Sequence, residues 1–144
     1  MPVDVSVEER IARPRSSVAA VMFDPKNDAA WTSGVIEARP ITGGRHAAGS
    51  RVERKVRFMG KTFGYEYCVI AADDDRSVEM EVDEPFPMKI RYELEDADGG
   101  TLARIHALGE PSGFFRIGGP IMRAMVRRNI RKDLHNLKQL VERQ

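Results

Sequence analysis

Turn-forming residues recur at short intervals through the middle of this chain, between residues 35 and 108. They cluster at six places, namely Gly43-Gly44, Gly49-Ser50, Met59-Gly60-Lys61, Asp73-Asp74-Asp75, Glu84-Pro85 and Asp98-Gly99-Gly100. Between the clusters, apolar and polar residues alternate, which is typical of half-buried strands in an antiparallel sheet. The pattern therefore predicts six consecutive strands, over residues 35–41, 51–58, 62–71, 77–82, 88–94 and 102–108.

The chain before these strands predicts one further strand and two short helices. The three segments are a strand over residues 3–11, a helix over residues 16–23 and a helix over residues 26–31. The strand has a period of two, with Glu9 as the charged exception on its apolar side. Pro14 suits a first helical turn, and Pro25 and Gly34 end the two helices. The first strand brings the predicted total to seven.

The C-terminal residues predict one long amphipathic helix that begins at or just after Pro120. At about 100° per residue, the apolar side chains fall within an arc of roughly 120°. These residues are Met122, Val126, Ile130, Leu134, Leu137, Leu140 and Val141. Asp133 lies inside this arc, at roughly 20° from Met122. The helix is therefore expected to lie on an apolar surface, with Asp133 facing inward.

The length of 144 residues predicts a single domain over residues 1–144, because ~150 residues bury roughly two thirds of the surface of the unfolded chain. No run approaches the roughly 18 apolar residues of a membrane span, and the N-terminus lacks the features of a signal peptide. We therefore expect a soluble, cytoplasmic protein without stable membrane insertion. Cys68 is the one cysteine, and zinc-ligand spacing is absent, so no metal or cofactor is predicted.

The net charge of +1 hides an uneven distribution along the chain. Residues 1–72 carry a net charge of +3, residues 73–98 carry −8, and residues 99–144 carry +6. Such a separation indicates two opposed surfaces, and it argues against a uniformly basic nucleic-acid-binding protein. The long helix carries a basic stretch that we expect to be a solvated face, and the acidic segment 73–98 offers it partners within the chain. The stretch contains Arg123, Arg127, Arg128, Arg131 and Lys132.

Several short motifs occur in a characteristic order along the whole chain. They are Val7-Glu8-Glu9-Arg10-Ile11-Ala12-Arg13-Pro14, Val18, Phe23-Asp24-Pro25, Trp31, Gly100-Thr101, Pro120-Ile121-Met122 and Asp133-Leu134-His135-Asn136-Leu137-Lys138. With the order of the elements, they resemble the START/Bet v 1-like (SRPBCC, helix-grip) superfamily, and more narrowly its bacterial polyketide cyclase/dehydrase and lipid transport branch. The resemblance implies an α+β fold, in which a curved seven-stranded antiparallel sheet grips the C-terminal helix. It also implies a cavity for a hydrophobic small molecule.

The inward faces of the predicted strands and helix supply candidate ligand-binding residues. Methionine and aromatic side chains with a few polar tips suit an adaptable pocket wall, and the alternative is that they fill a core. The candidates are Glu9, Trp31, Arg54, Phe58, Tyr65, Tyr67, Met80, Met88, Tyr92, Met122, Met125 and Asn129.

Three inward charges need partners, because burying an unpaired charge is costly. They are Glu9, Arg54 and Asp133. One hypothesis is an ion pair of Arg54 with Glu9 or with Asp133. The other is that they lie at a cavity mouth, where a carboxylate moves protons and an arginine holds an oxyanion or carboxylate. We expect His46, His106 and His135 to be solvated, and Cys68 to be a packed thiol.

Three functions remain open from the sequence. The first is binding of a small hydrophobic or amphiphilic ligand of lipid, polyketide or isoprenoid type. The second is a polyketide cyclase or dehydratase that uses Glu9, Arg54, Tyr65 or Tyr67, although no catalytic signature assigns the catalytic residues. The third is an interaction protein that docks on an anionic membrane or RNA through the basic helix face. The sequence names neither the ligand nor the oligomeric state.

Overall fold

The computed structural model describes residues 3–58, 60–84, 86–110 and 119–144. The elements are strand β1 (Val3–Ile11), helix α1 (Arg15–Met22), a 3-10 turn (Pro25–Asn27), helix α2 (Asp28–Trp31), strands β2 (Val35–Pro40), β3 (Arg51–Phe58), β4 (Lys61–Asp73), β5 (Ser77–Val82), β6 (Met88–Ala97) and β7 (Gly100–Gly109), and helix α3 (Gly119–Glu142). The predicted α+β element order is confirmed. The turn residues Met59 and Pro85 lie outside the described residues.

The seven strands form one antiparallel sheet in the order β1-β7-β6-β5-β4-β3-β2. Strands β2 to β6 each pair with the next strand along the chain, whereas β1 pairs with β7. The register shifts between Val35 and Glu37 on β2, and between Val69 and Ala71 on β4. Such bulges bend a strand and increase its twist, which helps the sheet to curve.

Helix α3 packs its predicted apolar arc onto the sheet. Its buried residues are Met122, Val126, Ile130, Asp133, Leu134, Leu137 and Val141. Burying a Val, Leu, Ile or Met side chain contributes about 1.5–3 kcal/mol, so this face holds the helix on the sheet. In the described part of the chain, no helix is both long and apolar enough to cross a membrane.

The concave face of the sheet carries the alternating apolar residues that the sequence predicted. Those that are buried are Val52, Val56, Tyr67, Val69, Val78, Met80, Val82, Tyr92, Leu94, Ala103, Ile105 and Ala107. Those that are partly buried against the same core are Phe58, Phe63, Tyr65, Met88 and Ile90. The predicted inward residues therefore lie on the buried side of the sheet.

The basic stretch of α3 is mostly exposed, as expected of a solvated face, and among the described residues it forms no ion pair with the acidic segment. Carboxylates of residues 73–98 pair with arginine and lysine side chains of the sheet, of α1 and of one loop. These pairs are Arg15–Asp96, Arg45–Asp75, Lys89–Glu79, Lys89–Glu81, Arg91–Glu79, Arg91–Glu93, Arg104–Glu93 and Arg104–Glu95, besides Arg10–Asp98 in a turn. Neighbouring strands bring opposite charges close together, which favours these pairs within the sheet. Docking through that face stays a prediction.

Candidate ligand-binding site

A cavity of about 170 Å³ lies between the concave face of the sheet and α3. Eleven of the residues that line it are apolar, and they come from strands β2 to β7, from α3 and from the loop before β6. They are Val35, Val56, Phe58, Phe63, Val82, Phe86, Met88, Ile90, Ala107, Val126 and Ile130. The cavity is smaller than the ~300–1,000 Å³ that is usual for drug-sized ligands.

Polar side chains also contribute to the same lining. Arg54 and Arg57 come from β3, Tyr65 comes from β4, Asn129 and Asp133 come from α3, and Thr32 and Ser33 follow α2. The cavity therefore combines an apolar wall with a small polar set, which is the composition of a site for an amphiphilic molecule.

Arg54 forms a buried ion pair with Asp28. The two residues are 5% and 0% exposed, and both Nε and Nη2 of Arg54 donate to Oδ2 of Asp28, at 3.1 Å and 2.9 Å. Nη1 of Arg54 donates to the Tyr65 hydroxyl at 3.0 Å. Burial alone would lower the pKa of Arg54, but the Asp28 carboxylate and the neighbouring tyrosines together more than offset it and hold that pKa above its ordinary range. The guanidinium is therefore charged and already paired.

The expected ion pair of Arg54 with Glu9 or Asp133 is wrong, because Asp28 takes that place. Asp28 is a buried partner of Arg54 that the sequence reasoning missed. A signal for it exists in the spacing of Pro25, Asp28 and Trp31, which are all buried at intervals of three residues. That spacing puts the three on one face of a helical segment, so a carboxylate between a buried proline and a buried tryptophan needs a buried cation.

His46 is buried, so the expectation that it is solvated is wrong. Its backbone N–H donates to the carbonyl of Phe23 at 2.8 Å, and its Nε2 lies 2.8 Å from the Tyr67 hydroxyl. That hydroxyl donates its hydrogen to Asp28 at 2.8 Å, so Nε2 of His46 must donate to the Tyr67 oxygen. Burial lowers the pKa of His46 to about 4, so the ring is neutral near pH 7 and Nδ1 carries no hydrogen.

Asp133 is 7% exposed and lies inward, as the helical arc predicted. The backbone N–H and the hydroxyl of Ser33 both donate to its Oδ1, each at 2.5 Å. Burial raises the pKa of Asp133 to about 6, although the Ser33 hydrogen bonds and the charge of Arg54 oppose this rise. A carboxyl group that titrates near neutral pH therefore lines the cavity.

Five of the predicted ligand-binding residues line the cavity, namely Arg54, Phe58, Tyr65, Met88 and Asn129. The other seven lie outside its lining. Trp31, Tyr67, Met80, Tyr92 and Met122 are buried, whereas Glu9 and Met125 are half-buried. Glu9 lies on β1 opposite Ala103, and four strands separate β1 from the strand of Arg54. Ligand contact by these seven residues stays a prediction.

Trp31 packs within the core, close to the Asp28–Arg54 ion pair. Its ring meets the ring of Tyr92 edge-on, with centroids 5.6 Å apart, and its carbonyl accepts a hydrogen bond from Asn136 at 3.2 Å. The indole Nε1 has no partner in the part of the chain that the structure describes. Because α2 ends at this residue, the packing of Trp31 also holds Asp28 against Arg54.

Comparison with known proteins places this geometry among related folds. A family model described as polyketide cyclase / dehydrase and lipid transport matches residues 2–142. A START superfamily protein from Mycobacterium smegmatis is 14% identical with a TM-score of 0.83, over 97% of both chains. A protein from Thermus thermophilus is 19% identical with a TM-score of 0.80, over 96% of both chains.

The major latex-like protein 151 of Panax ginseng is 10% identical to the chain, with a TM-score of 0.75 over 96% of both chains. No curated protein sequence matches the chain significantly. At these identities the solved structures show the fold alone, which is the helix-grip arrangement of sheet and C-terminal helix described above.

Proposed function

We propose, from the premise that this chain belongs to the polyketide cyclase / dehydrase and lipid transport family, that it binds a small amphiphilic molecule between the sheet and α3. The observation that supports the proposal is a cavity with eleven apolar residues and several polar side chains in its lining. Lipid, polyketide and isoprenoid ligands all combine an apolar body with a polar group, so the lining suits each of these classes.

The volume restricts the size of the ligand. A cavity of about 150 Å³ holds a molecule the size of benzene, so the 170 Å³ present here suits a substituted aromatic ring or a short, compact chain. A long acyl chain needs more space than the described cavity offers. Acetophenone is a suitable probe, because it joins one aromatic ring to one polar carbonyl group.

We expect Ala107→Leu to weaken acetophenone binding at least tenfold. Ala107 is 1% exposed and lines the cavity, so a larger side chain occupies the space that the probe needs. An NMR titration of the labelled protein measures the Kd, and urea unfolding checks that the variant folds. Ala71→Leu is the matched control, because Ala71 is exposed on β4. Equal affinity of wild type and Ala107→Leu would show that the probe does not bind in this cavity.

A second candidate function is proton transfer on an enolisable carbonyl compound. The observation that favours it is Asp133, whose pKa burial raises to about 6, in the same cavity lining as the Tyr65 hydroxyl. A carboxylate with a pKa near the working pH is an effective general base. In this scheme the Asp133 carboxylate takes a proton from the carbon next to the carbonyl, and the Tyr65 hydroxyl donates a hydrogen bond to the developing oxyanion.

Hydrogen–deuterium exchange at the methyl group of acetophenone in D2O tests this scheme. We expect the protein to accelerate the exchange, with a rate that rises as the pH passes about 6 and Asp133 ionises. Asp133→Asn is expected to reduce the acceleration at least tenfold. Exchange no faster than in buffer of the same composition would exclude this reaction for a ligand that binds.

A further inference from the structure

We propose that the cavity selects ligands whose polar group is an uncharged oxygen acceptor, such as a ketone, aldehyde or hydroxyl, over ligands that carry a carboxylate. The inference rests on the proposed binding function and specifies the ligand class for that same cavity. It departs from the sequence-based hypothesis that Arg54 holds a carboxylate.

The first step is that the positive charge of Arg54 is already balanced. Two of its nitrogen atoms donate to Oδ2 of Asp28, and the Tyr67 hydroxyl donates to the same oxygen. Asp28 is completely buried, so solvent does not weaken this pairing. A ligand carboxylate beside Arg54 therefore meets a neutral ion pair in place of a free cation.

The second step is that Asp133 places another carboxylate in the same lining. Ser33 supplies both of its hydrogen bonds, and in the described ranges no cation lies within 4.0 Å of it. With Asp133 ionised, the three buried groups Asp28, Arg54 and Asp133 carry a net charge of −1. Arg57 also belongs to the lining, but it is exposed, so solvent screens its charge more than the charges of the buried groups. A second anion beside the buried groups is therefore repelled, since like charges brought together at an interface are strongly unfavourable.

The third step is that the polar side chains still offer hydrogen-bond donors to a neutral oxygen. The Tyr65 oxygen accepts from Arg54, which leaves the hydroxyl hydrogen of Tyr65 free to donate. The side-chain amide of Asn129 also lines the cavity and offers both N–H groups and a carbonyl. A carbonyl or hydroxyl oxygen of the ligand can accept from these groups without adding a charge.

A matched pair of probes tests the selection. Acetophenone and benzoate have the same number of non-hydrogen atoms and differ in the methyl ketone against the carboxylate. Benzoate is fully ionised at about pH 7.5, well above the ordinary pKa of a carboxyl group. We expect NMR titration to give a Kd for benzoate at least tenfold higher than that for acetophenone.

Asp133→Asn shows where the selection comes from. Its amide keeps an oxygen that accepts from Ser33, so the contact survives while the charge is lost. We expect the ratio of the two Kd values to fall at least threefold in this variant. Glu37→Gln is the control, because it removes one negative charge at an exposed position outside the cavity lining, and it should leave the ratio unchanged.

Benzoate binding as tight as acetophenone in the wild type would overturn the inference and leave the proposed binding function intact. A ratio that Asp133→Asn leaves unchanged would also overturn it, because the charge of Asp133 is the repulsive element. Failure of both probes to bind would overturn the proposed function together with the inference.

Discussion

We expect Asp28→Ala to lower the free energy of unfolding by about 3–5 kcal/mol. The carboxylate of Asp28 pairs with Arg54 at 2.9 Å and also accepts the Tyr67 hydroxyl at 2.8 Å, and all of these contacts are buried. Its removal leaves a guanidinium in the core without a counter-charge, together with a hydroxyl that has lost its acceptor. This loss is a large part of the free energy of unfolding of a typical domain, which is roughly 5–15 kcal/mol.

Urea unfolding monitored by tryptophan fluorescence measures this loss. Glu53→Ala is the matched control, because it removes the acid from the Arg39–Glu53 pair, whose side chains are 70% and 47% exposed. An exposed pair contributes about 0–1 kcal/mol, so the control stays close to wild type. Equal losses in the two variants would contradict the buried ion pair.

A double variant keeps this prediction testable if Asp28→Ala does not fold. Replacing both members of a buried ion pair by apolar residues is often neutral or stabilising. We therefore expect Asp28→Leu combined with Arg54→Met to unfold at a higher urea concentration than Asp28→Ala. A double variant less stable than the single variant would show that Arg54 needs no counter-charge from Asp28.

Acidification from pH 6.5 to pH 4 is expected to remove about 3 kcal/mol of stability through His46. Burial lowers the pKa of His46 from 6.5 to about 4 in the folded protein. The folded state therefore binds the proton more weakly than the unfolded state. The contribution of neutral His46 to the free energy of unfolding is complete above pH 6.5 and is lost as the pH falls from 6.5 to about 4.

Asp133 acts in the opposite direction over nearly the same window. Burial raises the pKa of Asp133 from 3.8 to about 6, so the folded state binds the proton more tightly than the unfolded state. The contribution of protonated Asp133 to the free energy of unfolding is therefore complete below pH 3.8 and is lost as the pH rises through 6. Acidification from pH 6.5 to pH 4 restores about 2 kcal/mol through this group. The stability lost through His46 and the stability gained through Asp133 largely cancel in the wild type. Substituting either residue alone makes the effect of the other one measurable.

Urea unfolding at several pH values between about 4 and 7 separates the two groups. Relative to wild type, we expect His46→Gln to gain stability on acidification and Asp133→Asn to lose it, by about 3 and 2 kcal/mol. His135→Gln, at an exposed position of α3, should follow the wild-type curve. Curves for His46→Gln and Asp133→Asn that run parallel to wild type would contradict both assignments.

The elements of the fold follow from local patterns, and the sequence predicted them closely. Alternation of apolar and polar residues identified all seven strands, and the 3.6-residue period identified α3 and its buried face, including Asp133. Periodicity has this power because each inward position of a strand or helix must be covered by apolar atoms, whichever partner covers it.

The buried polar contacts, by contrast, join distant parts of the chain. Arg54 meets Asp28 across 26 positions, Tyr67 meets Asp28 across 39, and Ser33 meets Asp133 across 100. A local pattern shows that Arg54 faces inward but not which carboxylate reaches it. It also placed His46 in a turn, whereas the packing of that loop against Phe23 and Tyr67 buries the ring.

Local patterns along the chain were enough to predict the order of the elements, the buried faces of the strands and of α3, and the family to which the chain belongs. They did not separate the inward residues that line a cavity from those that pack solidly, as with Tyr65 in the lining and Tyr67 in the core. Periodicity specifies only the direction of a side chain. A cavity is the volume that remains when all side chains are packed together, and an ion pair forms wherever that packing brings its two charges into contact.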